Sequence, residues 1–323
     1  GSARRQHTAT LLRSGDVLVV GGEIGRFSDA RTSLASAELF LLDFNQFEPA
    51  GSLNEARSDH TATLLPNGNV LVVGGAGQPT APALSAAEVY SPLTDSFASA
   101  GDLEQARNGA TTLLLPEQEA DLVAGGSASA DENDSLDSAE VYSLSQNAFT
   151  PTANLPAPAY WAAANLLPDG SALIVGGNEQ GDAARYDAVA GTFVAAAPLP
   201  RGGCETPLVT MLATGELLAT CSNQAFLYDT SEPAMHAPPP PAMIAPRAEH
   251  TATLLSTGDV LLVGGGSSDP ELFDPNQSEF TVIPGPRPAS PDRRGHTATR
   301  LVDGRVFIAG GMAGDTLLGS TLA

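Results

Sequence analysis

The chain contains no lysine: its 15 basic residues are all arginine, set against 37 acidic residues, and the net charge is −22. Counterion-release binding to nucleic acid needs a concentrated basic surface, so no nucleic-acid partner is expected. Docking on anionic lipid is disfavoured on the same ground. Aromatics are also scarce, at 5% of residues with a single tryptophan. No apolar run approaches the ~18 residues of a membrane-spanning helix, so no membrane insertion is expected. Two cysteines, Cys204 and Cys221, are too few for a disulfide framework. What the 323 residues do hold is 33 glycines, 25 prolines and a 42% hydrophobic share gathered in short Val/Leu runs, which rules out wholesale disorder. High acidity without lysine suits a soluble protein outside the cytosol, and an extracellular or periplasmic location is expected.

An internal repeat organises the whole sequence. His-Thr-Ala-Thr recurs at His7, His60, His250 and His296, each time ahead of a turn, a Val/Leu run and a glycine pair. The pairs begin at Gly21, Gly74, Gly125, Gly176, Gly264 and Gly310. The interval between Gly176 and Gly264 is about twice the usual one, and a degenerate copy, Thr214 to Ser222, fills it with Cys221-Ser222 in place of the glycines. Seven units then account for the chain and leave no room for a second domain. Each unit reads as four short strands. Apolar runs on either side of Asn67-Gly68 mark a hairpin. The third strand carries Phe40, Tyr90, Tyr142, Tyr186, Tyr228 or Phe273, and the fourth carries Phe47, Phe97, Phe149, Phe193 or Phe280. One such sheet cannot bury both of its faces, so the sheets must pack on one another around a closed ring.

Hydrophobic strand, glycine pair, variable loop, Glu-x-aromatic and a fourth-strand aromatic together resemble the kelch repeat of bacterial type. The resemblance implies an all-β fold, a seven-bladed kelch β-propeller with an incomplete last blade, six blades being the alternative. The single domain 1–323 divides into units of approximately 4–56, 57–106, 107–158, 159–203, 204–246, 247–292 and 293–323. Phe stands where kelch repeats usually carry a fourth-strand Trp. The fifth unit replaces its fourth strand with the segment from Ser231 to Pro246, whose Pro238 to Pro241 predict polyproline II. The seventh unit ends just before its third-strand aromatic.

Candidate site residues follow from the repeat. Arg4, Arg57, Arg107, Arg247 and Arg293 stand three residues before the histidine position. The kelch resemblance implies that such positions line a central pocket and can hold an acidic ligand by forked hydrogen bonds. A structural role competes with this. Glu38, Glu88, Glu140 and Glu271 occur in the third strands of units that have the arginine, and units four and five have neither, as expected of an ion pair bridging strands within or between blades; unit seven is the exception, keeping Arg293 while Leu322 aligns with the glutamate. The four histidines suggest either a repeated structural hydrogen bond or a metal, and the structural role is preferred, so no metal or other cofactor is expected. Copper oxidases of the galactose oxidase kind share the kelch resemblance. Their centre needs two Tyr, two His and a Cys joined to a Tyr, and here Tyr90, Tyr142, Tyr186 and Tyr228 are repeat-position packing residues, leaving only Tyr160 free of that role, so an oxidase of that kind is not expected. Tyr160 and Trp161 stand outside the repeat pattern, near the loop-bearing face, and are candidates for stacking on a sugar or peptide, or equally for filling the space left where Ala159 replaces the repeat's arginine. The acidic loop Asp131–Asp137 reads as solvated rather than calcium-binding, because it lacks a known calcium-loop spacing. Cys204 and Cys221 are expected as two buried thiols, since Cys221 should face Leu208, four residues past Cys204; the alternative is a disulfide, which forms only if Gly202-Gly203 bends the entry back. The functional expectation is a monomeric, non-catalytic scaffold binding a protein or a small acidic or carbohydrate ligand. The alternative is a sugar-processing enzyme acting in the central pocket, with Arg57, Arg107, His60 and Tyr160 as its candidate set.

Overall fold

The Val/Leu runs form the second strand of every repeat: Val17–Val20, Val70–Val73, Ala120–Ala124, Ala172–Val175, Leu217–Cys221, Val260–Val263 and Val306–Ala309. All their residues are buried. A strand paired on both edges and covered on both faces has no solvent side, which explains continuous apolar runs in place of alternation. These features belong to a computed structural model that describes residues 2–322 apart from 26–30, 79–80, 130–133, 200–206, 231–233, 236–241, 267–268, 284–292 and 320.

The architecture is a β-propeller. Six antiparallel four-stranded sheets are each built in chain order from the inside outwards. The innermost strands, Thr8–Leu11, Thr61–Leu64, Thr111–Leu115, Ala163–Leu166, Leu208–Met211, Thr251–Leu254 and Thr297–Arg300, pack successively against one another, and the last returns to the first. The complete blades therefore number six, one fewer than the seven units of the repeat, as in the six-blade alternative. The seventh repeat contributes a three-stranded sheet of Thr297–Arg300, Val306–Ala309 and Thr321–Leu322, set between the sixth blade and the first.

Apolar side chains from facing sheets build the core between blades. Leu18 and Val20 of the first pack with Val70, Val72 and Tyr90 of the second. The third-strand aromatics lie cross-strand from the fourth-strand phenylalanines, with ring centroids 5.0 Å apart for Tyr90–Phe97 and 4.7 Å for Tyr186–Phe193. These tilted pairs add to the area they bury. The glycine pair has a specific task. The second glycine donates its N–H to the arginine-position carbonyl of the next repeat: Gly22 to Arg57 at 2.9 Å, Gly75 to Arg107 at 3.0 Å, and Gly311 to Arg4 at 2.7 Å across the ring closure. Gly75 has φ +95°, and a Cβ there would lie 2.5 Å from the Ser58 carbonyl oxygen. No residue with a side chain fits that approach.

Two expectations for the fifth unit are corrected. A short fourth strand exists, with Ala234–Met235 pairing to Tyr228 and Asp229; Pro238–Pro241 lie outside the described residues. Leu208 pairs with Thr220, not Cys221, because the connecting turn runs from Leu212 to Glu216. Cys221 thus sits one step beyond the ladder of the first two strands, and it is disulfide-bonded rather than a thiol. The other cysteine of the sequence, Cys204, lies outside the described residues.

Candidate functional site

The five repeated arginines lie inside the blades. Arg57 and Arg107 are 0% exposed, and Arg4, Arg247 and Arg293 are buried as well. Arg57 Nη1 donates to the carbonyls of Gly74 and Ala86, both at 2.8 Å, and Nη2 meets Glu88 at 2.9 Å. Arg107 repeats this with Gly125, Ser138 and Glu140, and Arg247 pairs with Glu271 at 2.8 Å. Arg4 meets Glu38 at 3.0 Å. Arg293 differs: Thr321, and not the Leu322 expected from the sequence, pairs with Ile308 in its blade where Glu38 pairs with Val19 in the first, and the guanidinium bonds the carbonyls of Gly310 and Gly319. The glutamates finish the clamp: Glu88 accepts from the backbone N–H of Asn54 at 2.8 Å, and Glu140 from that of Glu104 at 2.9 Å. Each guanidinium thus fastens the segment leading into its own blade onto that blade's outer strands. Burial pulls the Arg57 and Arg107 pKa downward while the glutamates oppose it.

The histidines are staples between neighbours. His60 Nε2 lies 3.0 Å from Thr8 Oγ1, His7 3.0 Å from Thr297, His296 3.0 Å from Thr251, and His250 2.9 Å from Thr220. Each therefore engages the preceding repeat. Burial, with help from the adjacent arginine, lowers His7 and His296 to about 3 and His250 to about 4, so these rings are neutral at physiological pH.

Between the arginine and histidine positions, two residues lead into the innermost strand in six of the seven repeats; those of the fifth, 205 and 206, lie outside the described residues. The second of them has a left-handed backbone in Gln6, Asp59, Gly109, Trp161, Glu249 and Gly295, with φ between +52° and +60°. Their backbones link around the axis. Gln6 N–H donates to Gly295 at 3.1 Å, Asp59 to Gln6 at 3.2 Å, Gly109 to Asp59 at 3.0 Å, and Trp161 to Gly109 at 2.9 Å. This arc of five repeats frames one end of the propeller axis, an axial mouth on the face carrying the glycine-pair loops. Its side chains vary from repeat to repeat, unlike the clamps below it.

Tyr160 and Trp161 meet at this mouth with ring centroids 5.7 Å apart, tilted by 53°. Both are half-buried. They occupy the space above Gly109, where a Cβ would approach the Trp161 ring to 3.0 Å. On the other side of Gly109 stands Asp59. Its Oδ2 accepts a 3.3 Å hydrogen bond from Ser58 Oγ, while its Oδ1 is buried with no hydrogen-bond partner. Burial and the charge of Glu23 push the Asp59 carboxyl up to about 7, against opposing contributions from Ser58, Arg31 and Arg5. Glu23 is engaged by Arg5 at 2.8 Å and by Arg31 at 3.4 Å. An aromatic platform beside an under-bonded carboxyl suits a ligand that has both an apolar face and hydroxyl groups.

Sequence reasoning placed Tyr160 and Trp161 here. It missed Asp59, Arg5 and Glu23, because a position that changes in every repeat leaves no periodic signal; the slot just before the histidine was the available clue. In the acidic loop, Asp134 accepts a 2.6 Å hydrogen bond from Ser129 Oγ, and residues 131–133 lie outside the described residues. Among the described residues, no group of three His, Cys, Asp or Glu is arranged to hold a metal ion.

No protein-family profile and no curated protein sequence matches the chain. Its fold is similar to that of a fungal alcohol oxidase of the AA5 family, solved in complex with copper. The TM-score is 0.76 over 97% of this chain and 71% of the oxidase, at 18% sequence identity.

Proposed function

We propose that this propeller is a binding module of kelch type, acting outside the cytosol, which takes a small hydroxyl-rich ligand of the carbohydrate class at its axial mouth. The observation that carries this reading is the Tyr160–Trp161 pair, held over a side-chain-free Gly109 beside Asp59. Aromatic faces stack on the apolar face of a sugar ring, and nearby polar groups fix its hydroxyls. The glycine pairs and the glutamate–aromatic third strands support the kelch assignment. The disulfide at Cys221 supports an oxidising compartment. The arginines, first candidates for an acidic ligand, are committed to their clamps, so a neutral ligand fits this mouth better than an anion.

A second reading, a sugar-processing enzyme working in the same pocket, is favoured by the likeness to the copper-bound alcohol oxidase. The donors described in this chain do not fit such a metal centre. The four described histidines are spent one by one at successive blade junctions, and among the described residues no three His, Cys, Asp or Glu converge to hold a metal. The hydroxyls of Tyr90, Tyr142 and Tyr186 are engaged by Asp95, Asn147 and Thr152.

A thermal-shift panel of neutral and acidic sugars on the wild type and Trp161→Ala separates the possibilities. The binding reading expects a neutral sugar to raise the wild-type midpoint and leave the variant unmoved. Equal shifts in both proteins, or none in either, refute the site. Turnover of a bound sugar, followed by product analysis with and without added copper, would establish the enzyme instead.

A further inference from the structure

We infer that Asp59 anchors a ligand hydroxyl at the axial mouth, accepting its hydrogen bond on Oδ1 while the ligand's apolar face lies on the Tyr160–Trp161 pair. This rests on the binding reading above and names the residue that would orient the ligand.

The case begins with the backbone. Asp59 holds φ +56°, fixed on both sides by the axial arc: its N–H donates to Gln6 and its carbonyl accepts from Gly109. Aspartate tolerates this left-handed conformation better than most residues. The side chain is anchored at one oxygen only, by Ser58 Oγ at 3.3 Å. A carboxylate has about four lone-pair sites, and here Oδ1 is withdrawn from solvent with no donor among the described residues. Such a group costs free energy unless a partner arrives. The neighbouring charges do not supply one. Arg5 and Arg31 turn to Glu23, at 2.8 and 3.4 Å. A hydroxyl from a ligand resting on the neighbouring aromatic pair is the donor this geometry lacks.

The charges that face Asp59 are Glu23, from the strand Glu23–Ile24; Arg31, just ahead of the strand Thr32–Ser33; and Arg5, just ahead of the first innermost strand. Glu23 and burial favour the protonated carboxyl, and the arginines oppose them. A hydroxyl donating to Oδ1 favours the ionised carboxylate, so binding releases a proton. Affinity must therefore rise with pH across neutrality.

The test is a fluorescence titration of Trp161, the single tryptophan of the chain, with D-galactose and D-glucose as probes at pH 6 and pH 8. Wild type, Asp59→Asn and Asp59→Ala are compared, with urea midpoints recorded to confirm folding. The wild type should bind several-fold more tightly at pH 8 than at pH 6. The D59N protein should bind about tenfold more weakly than wild type at pH 8, having lost a charge-assisted hydrogen bond, and its affinity should not change with pH. The D59A protein should be weaker still. Sugar binding that is equal in wild type and D59N, or flat with pH in the wild type, overturns the anchoring role alone. No response to either sugar overturns the binding reading and this inference together.

Discussion

Replacing Asp121 with valine should stabilise the protein, and by an amount that depends on pH. Asp121 is fully buried in the second strand of the third blade, paired with Leu114 on one side and Tyr142 on the other. The aligned residues elsewhere are apolar: Val17, Val70, Ala172, Leu217, Val260 and Val306. Neither carboxylate oxygen has a hydrogen bond of good geometry. Burial lifts the carboxyl from 3.8 to about 7, with only Thr63 opposing. A folded-state pKa above the unfolded value means that the unfolded chain gives up its proton first, so stability falls as pH rises from about 4 to about 7 and stays low above that. At about 1.4 kcal/mol for each pH unit between those two values, the loss reaches about 4 kcal/mol at pH 8. Urea unfolding of wild type and Asp121→Val at pH 4, 6 and 8, followed by circular dichroism, reads this directly. The variant should gain about 4 kcal/mol at pH 8 beyond any gain at pH 4. Other titrating groups cancel in the difference between the two proteins. A gain that does not change with pH, or a variant less stable than wild type at pH 8, would refute the reasoning.

Other outcomes follow from the same packing. Arg57→Ala should cost about 3–5 kcal/mol in unfolding experiments, because it leaves Glu88 as a buried, uncompensated charge, and Glu88→Leu added to Arg57→Met should recover much of the loss. The buried neutral histidines have folded pKa values below 6.5, so their contribution is complete above that pH and is lost as pH falls towards 3–4. Acid melting should accordingly begin near pH 6, and His7→Gln combined with His296→Gln should make the melting temperature less sensitive between pH 6 and 4. Gly75→Ala should lower stability by at least about 2 kcal/mol, through left-handed strain plus collision with Ser58, whereas Gly215→Ala, with nothing within 4 Å, should suffer only the conformational part.

The propeller was legible because its determinants repeat. Buried Val/Leu strands, glycine pairs and cross-strand aromatics recur in phase, and each copy reports the same local physics. The arginine–glutamate clamp was legible for a related reason: Ala159 and Ala184 in the fourth unit lose both partners at once, as a pair should. Counting blades was harder, since the last repeat forms a sheet of three strands and a sequence repeat does not state how many strands it completes. The register of the fifth unit escaped because the turn centres on Thr214 and not between Thr214 and Gly215, which shifts every pairing by one residue, and with it the surroundings of Cys221. The axial mouth was only half legible. Tyr160 and Trp161 stood out as aromatics without a repeat role, but Asp59 is one acid among 37 until the fold sets it in the backbone arc between Gln6 and Gly109.

The claim that the variable mouth, and not the repeated arginines, is the working surface is tested most directly by the indole N–H resonance of Trp161, the one signal of its kind in the proton spectrum. Titration with D-galactose or D-glucose should move that resonance saturably in the wild type and leave it in place in Asp59→Ala. A sugar that binds, by an independent measure such as equilibrium dialysis, without moving the Trp161 resonance would put the site elsewhere.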